Sequence, residues 1–300
     1  MVIHIIVVTY NRKELLSRIL ASLLNQSYCH VRIIVVDNGS NDGSMAYIEE
    51  KKLIDKVEWL RLPENIGGAG GFHEGMKYAI QKKQAEWLWL MDDDGYPENT
   101  CLEKLYNAAL SKNLEAISPL QIDINQQDQL AFPVWLKKKQ IRGSVNQIIH
   151  QEFLYKEANL FNGLLLHRSV VEKIGLPRKE FFIRGDEVDY TKSFIKHNVN
   201  FGTLISARFY HPSDENERVP MLGGLITTRD AHSDFKNYYM FRNRAVTFIE
   251  DGNALLLPLD FIRYSYYYLI HKRLNWKGLK LWCAATYDGI KGKLGRHPKY

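Results

Sequence analysis

Apolar runs of strand length, at residues 2–8, 31–36, 57–62, 87–91 and 116–120, alternate with helix-like stretches around 13–24, 44–50, 71–83 and 97–111. Strands that are apolar throughout, separated by helices, predict a mostly parallel sheet with helices on both faces, because a strand buried on both sides has no polar positions to alternate. In sheets of this kind ligands bind beyond the carboxyl ends of the strands. The residues that follow each apolar run are therefore where chemistry is to be sought.

A sheet built only for stability would not need the residues found there. The first run continues into Thr9-Tyr10-Asn11-Arg12, and the second into Asp37-Asn38-Gly39-Ser40 and the turn formers Asn41-Asp42-Gly43. The third leads to Asn65-Ile66-Gly67-Gly68-Ala69-Gly70-Gly71, and the fourth to Asp92-Asp93-Asp94. Three adjacent carboxylates repel one another and call for a cation. In an extended chain Asp92 and Asp94 point one way and Asp93 the other. That favours Asp92, Asp94 or both as oxygen ligands of Mn²⁺ or Mg²⁺ holding a diphosphate. A calcium loop would use Asp92, Asp94 and Glu103, but Pro97 stands where its glycine is obligatory; a solvated acidic turn is the plainer alternative. Asp37 suits a nucleobase N–H or ribose hydroxyls, or else turn formation, a task that Asn41, Asp42 and Ser44 fit better. The glycines between 67 and 71 match neither the lysine-containing phosphate loop nor the dinucleotide fingerprint. They let backbone approach a ligand and open a helix whose N-terminus favours anions, or they form a bare turn.

At 300 residues, 45% hydrophobic and 25% charged, the chain is neither disordered nor fibrous. Cys29, Cys101 and Cys283 are isolated, which excludes a thiolate zinc site and a disulfide framework and suits a reducing compartment. The apolar N-terminus lacks a basic leader and a small-residue cleavage site. No run reaches the ~18 apolar residues of a spanning helix, so a cytoplasmic protein is expected. Forty basic against 34 acidic side chains leave a net charge of +6, which alone does not choose between nucleic acid, membrane and anionic substrate. Carboxylates at the strand ends oppose a polyanion, so no nucleic-acid partner is expected. Between 121 and 158 the pattern loosens into polar turns and the basic Lys137-Lys138-Lys139, read as an insertion or hairpin. The stretch 211–224, with Pro212, Pro220 and Gly223-Gly224, reads as a mobile loop. Helical patterns dominate from Asp234 onward.

The ordered set Thr9-Tyr10-Asn11-Arg12, Asp37-Asn38-Gly39-Ser40, Asn65-x-Gly67-Gly68 and Asp92-x-Asp94 resembles the family 2 glycosyltransferases of the GT-A fold. The segment Phe182-Ile183-Arg184-Gly185-Asp186-Glu187-Val188-Asp189-Tyr190 resembles the acidic motif that supplies their general base. The likeness is greatest to the bacterial galactofuranosyl- and rhamnosyltransferase branch, and the glycine-rich stretch before Phe72 resembles its galactofuranosyl side. The resemblance implies an α/β, Rossmann-like, mostly parallel sheet flanked by helices, with a C-terminal helical extension. It divides the chain into a GT-A catalytic domain over 1–233 and a basic, aromatic helical region over 234–300. Within the former, 1–120 would bind the nucleotide sugar and 121–233 carry acceptor and base functions.

The resemblance also implies site residues. Thr9, Tyr10, Arg12, Asp37, Asn65, Gly67, Gly68, Gly71 and Asp93 would bind the donor; Asp92, Asp94 and His211 would hold the metal. Glu187 would be the base with Asp186 beside it, in the reverse of the family's usual order. Asp189, His232, Tyr239 and Arg242 would meet the acceptor, although Tyr238-Tyr239-x-x-Arg242-Asn243 reads equally well as an aromatic core stripe. The implied reaction is inverting, metal-dependent transfer from a UDP-sugar, UDP-galactofuranose favoured, to a bacterial surface glycan or a polyprenyl- or lipid-linked acceptor, with loop 211–224 closing over the donor. A rhamnosyltransferase using a dTDP-sugar and a non-catalytic sugar-nucleotide-binding partner are the alternatives. Residues 254–300 hold nine basic side chains against Asp260 and Asp288, interleaved with Tyr264, Tyr266, Tyr267, Tyr268, Trp276, Trp282 and Tyr287. Such a tail suits peripheral contact with the inner face of a cytoplasmic membrane, and equally a helical cap or a homo-oligomer contact.

Overall fold

The computed structural model describes residues 1–136, 139–213 and 217–300. Lys137 and Lys138 of the basic turn, and residues 214–216 of the proposed loop, lie outside the described residues. In chain order the elements are β1 (Ile3–Thr9), α1 (Lys13–Leu24), β2 (Val31–Asp37), α2 (Ser44–Glu50), β3 (Glu58–Arg61), α3 (Gly67–Lys83), β4 (Trp87–Asp92), β5 (Tyr96–Pro97), α4 (Cys101–Ser111) and β6 (Ala116–Asp123). There follow β7 (Val134–Leu136), β8 (Lys139–Ile141), β9 (Phe153–Tyr155), β10 (Asn162–His167), α5 (Arg168–Ile174), α6 (Asp186–Lys196), β11 (Phe201–His211), β12 (Arg218–Met221), β13 (Ile226–Arg229), α7 (Asp234–Glu250), α8 (Leu256–Ser265) and α9 (Trp276–Ile290). The chain separates into two compact units, residues 1–177 with 190–213, and residues 178–189 with 214–300. This division differs from a cut at 233: the acidic pair Asp186-Glu187 groups with the C-terminal helices.

The first unit is a sheet of strand order β3-β2-β1-β4-β10-β6-β11-β5, with β9 also on β11. Pairing is parallel from β3 through β4, as expected. Beyond that it is mixed: β10 runs antiparallel to β4 and β6, and β5 and β9 antiparallel to β11. β6 is parallel to β11, and the antiparallel β10 enters between β4 and β6 unannounced, because a wholly apolar run such as Leu164–Leu165–Leu166 reports burial, not direction. Alternate residues of β1 feed two cores. Ile3, Ile5 and Val7 pack with Leu16, Ile19 and Leu105 of α1 and α4, while Ile6 and Val8 pack with Phe72 and Met76 of α3. Each such side chain contributes ~1.5–3 kcal/mol.

Helix α3 begins at Gly67, so the glycine-rich stretch is its first turn rather than a loop. A Cβ on Gly71 would stand 2.5 Å from a Val8 methyl, and one on Gly75 would stand 2.8 Å from Ile6 and Val36 methyls. These glycines let the helix lie directly on β1 and β2. Gly68 differs: its Cβ would meet nothing within 4 Å.

The second unit is helical, with β12 and β13 forming an antiparallel hairpin where part of a mobile loop was expected. Its core is aromatic: Tyr238, Tyr239, Phe241, Tyr264, Tyr267 and Trp282 are buried together. The tyrosines keep their hydroxyls satisfied. Tyr238 donates to Asp288 at 2.8 Å, Tyr267 to Asp230 at 2.5 Å and Tyr239 to the Tyr300 carbonyl at 2.9 Å. Most of the tail's aromatic content is therefore core. No helix among the described residues is long and apolar enough to cross a membrane.

Candidate active site

The carboxyl ends of β1, β2 and β3 are bound together by short polar side chains. Asn11, in the left-handed region at φ 53°, donates its backbone N–H to Ser40 Oγ at 3.0 Å and accepts the Asn41 N–H on Oδ1 at 2.8 Å. Asn38 donates to the Gly67 carbonyl at 2.9 Å and to Asn65 Oδ1 at 3.3 Å, and accepts the Ile66 N–H at 3.0 Å. Asn65 Oδ1 takes the Gly67 N–H at 2.8 Å. Asn38 was overlooked as an organiser of the site. Its position between a strand end and a Gly in a turn was the available signal.

Asp37 is fully buried. It accepts the Ser40 N–H at 2.8 Å and the Arg61 guanidinium at 2.7 Å, so it shapes the loop itself, a task the sequence favoured giving to Asn41, Asp42 and Ser44. Tyr10 is exposed at the end of β1.

The three aspartates after β4 diverge. Asp93 turns inward, accepting the Thr9 hydroxyl at 2.7 Å and Arg12 Nη1 at 3.0 Å. Thr9 is buried with it, so both support the site from beneath. Arg12 reaches Asp94 as well, at 3.0 Å, and Arg18 donates to the Asp94 carbonyl at 2.6 Å. The cation that adjacent carboxylates require is thus partly internal. Burial pushes the Asp93 pKa up, against the pull of Arg12 and Thr9. Burial acts on Asp94 in the same sense, but His211 and Arg12 outweigh it and hold its carboxyl at about 2.

His211, at the end of β11, brings Nε2 to 2.9 Å from Asp94 Oδ1. Its Nδ1 is 2.6 Å from the Pro212 carbonyl. A carbonyl only accepts, so Nδ1 carries a proton and Nε2 is the nitrogen that faces the carboxylate. Asp94 Oδ1 is buried and makes no well-aligned hydrogen bond. Two lone pairs at this separation need a cation between them, either a proton or a metal, and the pair fits adjacent corners of a divalent-ion shell with ligands at ~2.0–2.2 Å. Asp92 does not complete the set: no cluster of three metal-ligating side chains exists among the described residues. Phe132 flanks His211, ring centroids 4.9 Å apart.

In the second unit, Asp186 and Glu187 open α6, where carboxylates are favoured by the helix dipole. Asp186 is buried and Glu187 exposed. Just upstream the backbone is strained at Phe182 and Arg184, with φ of 68° and 63°, while Gly185 takes φ 93°, which a glycine adopts freely. Asn243 of α7 holds this stretch, donating from Nδ2 to the carbonyls of Phe181, Ile183 and Arg184 at 2.9, 2.9 and 2.7 Å. Arg242 donates to the Glu180, Phe181 and Gly295 carbonyls at 3.2, 3.0 and 2.5 Å. Arg184 forms a bidentate pair with Glu217, at 2.8 and 2.5 Å.

For Tyr239 and Arg242 the family resemblance implies acceptor contact. Both are in the interior, engaged with backbone, and that expectation is corrected. Asp189 lies 3.5 Å from Arg178. His232 is half-exposed and donates its backbone N–H to Asp230 at 2.9 Å.

Comparison with known proteins bears on this arrangement. The profile of glycosyl transferase family 2 matches residues 4–175. The chain is 32% identical to galactofuranosyltransferase GlfT1 of Mycolicibacterium smegmatis, covering 100% of this chain and 98% of that protein. It is likewise 32% identical to GlfT1 of Mycobacterium tuberculosis, over 97% and 96% of the two chains. Among solved structures, Staphylococcus aureus TarS residues 1–349 in complex with UDP-GlcNAc superposes with a TM-score of 0.60 at 17% identity, covering 97% of this chain and 81% of that one. Mannosyltransferase PcManGT of Pyrobaculum calidifontis, in complex with GDP-Man and Mn²⁺, gives 0.55 at 15% identity, covering 99% and 76%. These structural likenesses show a common GT-A fold.

Proposed function

The chain belongs to the family 2 glycosyltransferases, in their galactofuranosyltransferase branch, and from that premise we propose that it transfers galactofuranose from UDP-galactofuranose to a hydroxyl of a lipid-linked or cell-surface glycan, inverting the anomeric centre. The observation that carries this reading is the full-length identity to named galactofuranosyltransferases. Asp94 and His211 are the side chains that would hold a divalent cation, and the imidazole nitrogen favours Mn²⁺ over Mg²⁺. Such an ion, when bound, offsets charge on a departing diphosphate.

The remaining roles fall to the chain itself. Tyr10 and the loop shaped by Asp37 and Asn38 receive the nucleoside. Gly68 leaves room for close approach of phosphate oxygens to the first turn of α3. Arg12 bridges Asp93 and Asp94 and holds both in place. Glu187 accepts the proton of the acceptor hydroxyl as its oxygen attacks the anomeric carbon opposite the leaving diphosphate. Exposure favours Glu187 over the buried Asp186 for that task. Asn243 and Arg242 hold the strained segment that precedes both carboxylates.

Thermal unfolding tests the binding half of this reading. UDP with Mn²⁺ is expected to raise Tm by more than the sum of either alone, and Asp94→Asn to remove the excess. Equal stabilisation with and without the metal, in both proteins, would contradict the assignment of Asp94.

A further inference from the structure

We propose that the outward face of α8 and the turn that follows it is a docking surface for a phospholipid bilayer rich in anionic headgroups. Leu255, Leu259, Ile262 and Ile270 recur at helical spacing on α8 and its continuation, and are 87, 61, 64 and 62% exposed. The continuation, Tyr266–His271, is a wider π-type turn, which keeps Ile270 on the same side. Beyond it Arg273 and Leu274 adopt φ of 50° and 61°. This corner turns Leu274 and Trp276 outward, 64 and 56% exposed. The opposite side of the same helix is the packed one, through Asp260, Tyr264, Tyr267 and Tyr268. A contiguous apolar ridge on a helix already packed on its other face is a binding surface rather than a leftover of folding.

Charge decides the occupant. Between residues 254 and 287 the sequence has five basic side chains and a single acid, Asp260. Asp260 is buried and ion-paired with Arg244 at 3.0 Å, leaving the exposed ridge without negative charge. Lys272 and Lys277 lie 3.7 and 2.6 Å from Asp230 and Asp234, whereas Arg273 and Lys280 have no ion pair among the described residues. An aliphatic ridge followed by Trp276, with the exposed Arg273 and Lys280 in the same segment, matches helices that lie in the plane of an anionic bilayer, apolar side inserted and basic side chains at the headgroups. A symmetric contact with a second copy would instead bring the like charges together. The inserting residues are aliphatic, because the tail's tyrosines are spent on the core.

The proposal concerns the second unit alone and stands whatever the donor sugar is. Co-sedimentation with vesicles tests it without any substrate. The full chain is expected to bind vesicles of phosphatidylglycerol and phosphatidylcholine, and to bind pure phosphatidylcholine at least about tenfold more weakly. Leu259→Glu with Ile262→Glu, at positions where a carboxylate stays solvated, is expected to lower binding to anionic vesicles at least about tenfold with Tm unchanged. Arg273→Glu with Lys280→Glu is expected to give a smaller loss that vanishes in high salt. Failure of the native protein to bind anionic vesicles overturns the proposal, as does undiminished binding by the first double variant. A native dimer in sedimentation that Leu259→Glu with Ile262→Glu dissociates, without vesicle binding, also overturns it and assigns the ridge to self-association.

Discussion

The two units hold their candidate residues in place by opposite means. In the first, Thr9, Asp37 and Asp93 sit at or just beyond neighbouring parallel strands, and β1–β2 register pairs Thr9 with Asp37. Backbone pairing puts them side by side, and short links such as Asn11 to Ser40 complete the arrangement. In the second, Asp186 and Glu187 follow a segment with three positive φ values whose carbonyls are held by Asn243 and Arg242, about sixty residues away in sequence. A strand end is placed by the sheet. The segment before Asp186 is placed by two buried polar side chains and has no ladder to fall back on. The first arrangement is expected to tolerate loss of one link, whereas the second concentrates its geometry in few bonds.

Five substitutions and a pH series bear on that contrast, in falling order of effect. Glu187→Gln is expected to reduce kcat by about 10³-fold, the scale of a lost general base, with donor KM little changed; a turnover within threefold of the native protein would remove Glu187 from the chemistry. Matched asparagines come next. Asn243→Ala removes three hydrogen bonds, with Arg242 still on the Phe181 carbonyl but no side-chain donor left for those of Ile183 and Arg184, and is expected to cost ~2–4 kcal/mol of stability and to lower kcat more than it raises donor KM. Asn38→Ala breaks as many bonds in the first unit and is expected to raise donor KM with the smaller change in kcat. Identical kinetic signatures for the two variants would erase the distinction drawn between the units.

Glycines on α3 sharpen the picture within the first unit. Gly71→Ala drives a methyl into Val8 and is expected to cost ~1–3 kcal/mol in chemical unfolding. Gly68→Ala meets open space and is expected to be neutral or slightly stabilising, while raising the Kd for UDP several-fold. A Gly68→Ala protein that binds UDP normally would mean that the ligand keeps its distance from this turn.

The smallest effect concerns Glu157, a half-buried carboxyl whose pKa burial raises to about 7, against a backbone hydrogen bond from Trp135. Its raised value favours the folded state most at low pH, and that contribution is lost as pH rises through 7. Glu157→Gln is therefore expected to match the native protein near pH 4 and to be more stable at pH 8 by ~1 kcal/mol, after allowing for partial solvent screening. A stability difference that does not change between those pH values would place Glu157 in water.

The same contrast explains what the sequence discloses. The parallel half, with strand ends carrying Thr9, Asp37, Asp93 and Asp94, was legible because apolar runs mark buried strands and topology puts ligands beyond them. The antiparallel β10 was not, since a fully apolar strand carries no sign of its direction. In the second unit, periodicity puts Tyr239, Arg242 and Asn243 on one helical face but says nothing about which partner that face meets. Only the fold reveals that the partner is the backbone before Asp186. The tyrosine-rich tail left two readings open for a related reason: an amphipathic aromatic helix is the same pattern whether its apolar side meets lipid or another helix. Leu255, Leu259 and Ile262 stand out only once the tyrosines are seen to be occupied.

The central claim is the reaction itself, and a donor panel tests it most directly. With Mn²⁺ and a lipid-linked glycan acceptor, the protein is expected to consume UDP-galactofuranose and release UDP. NMR of the product should show a new galactofuranosyl linkage of anomeric configuration opposite to the donor's. Turnover of dTDP-rhamnose with none of UDP-galactofuranose, or a product that retains the donor's configuration, would contradict the account.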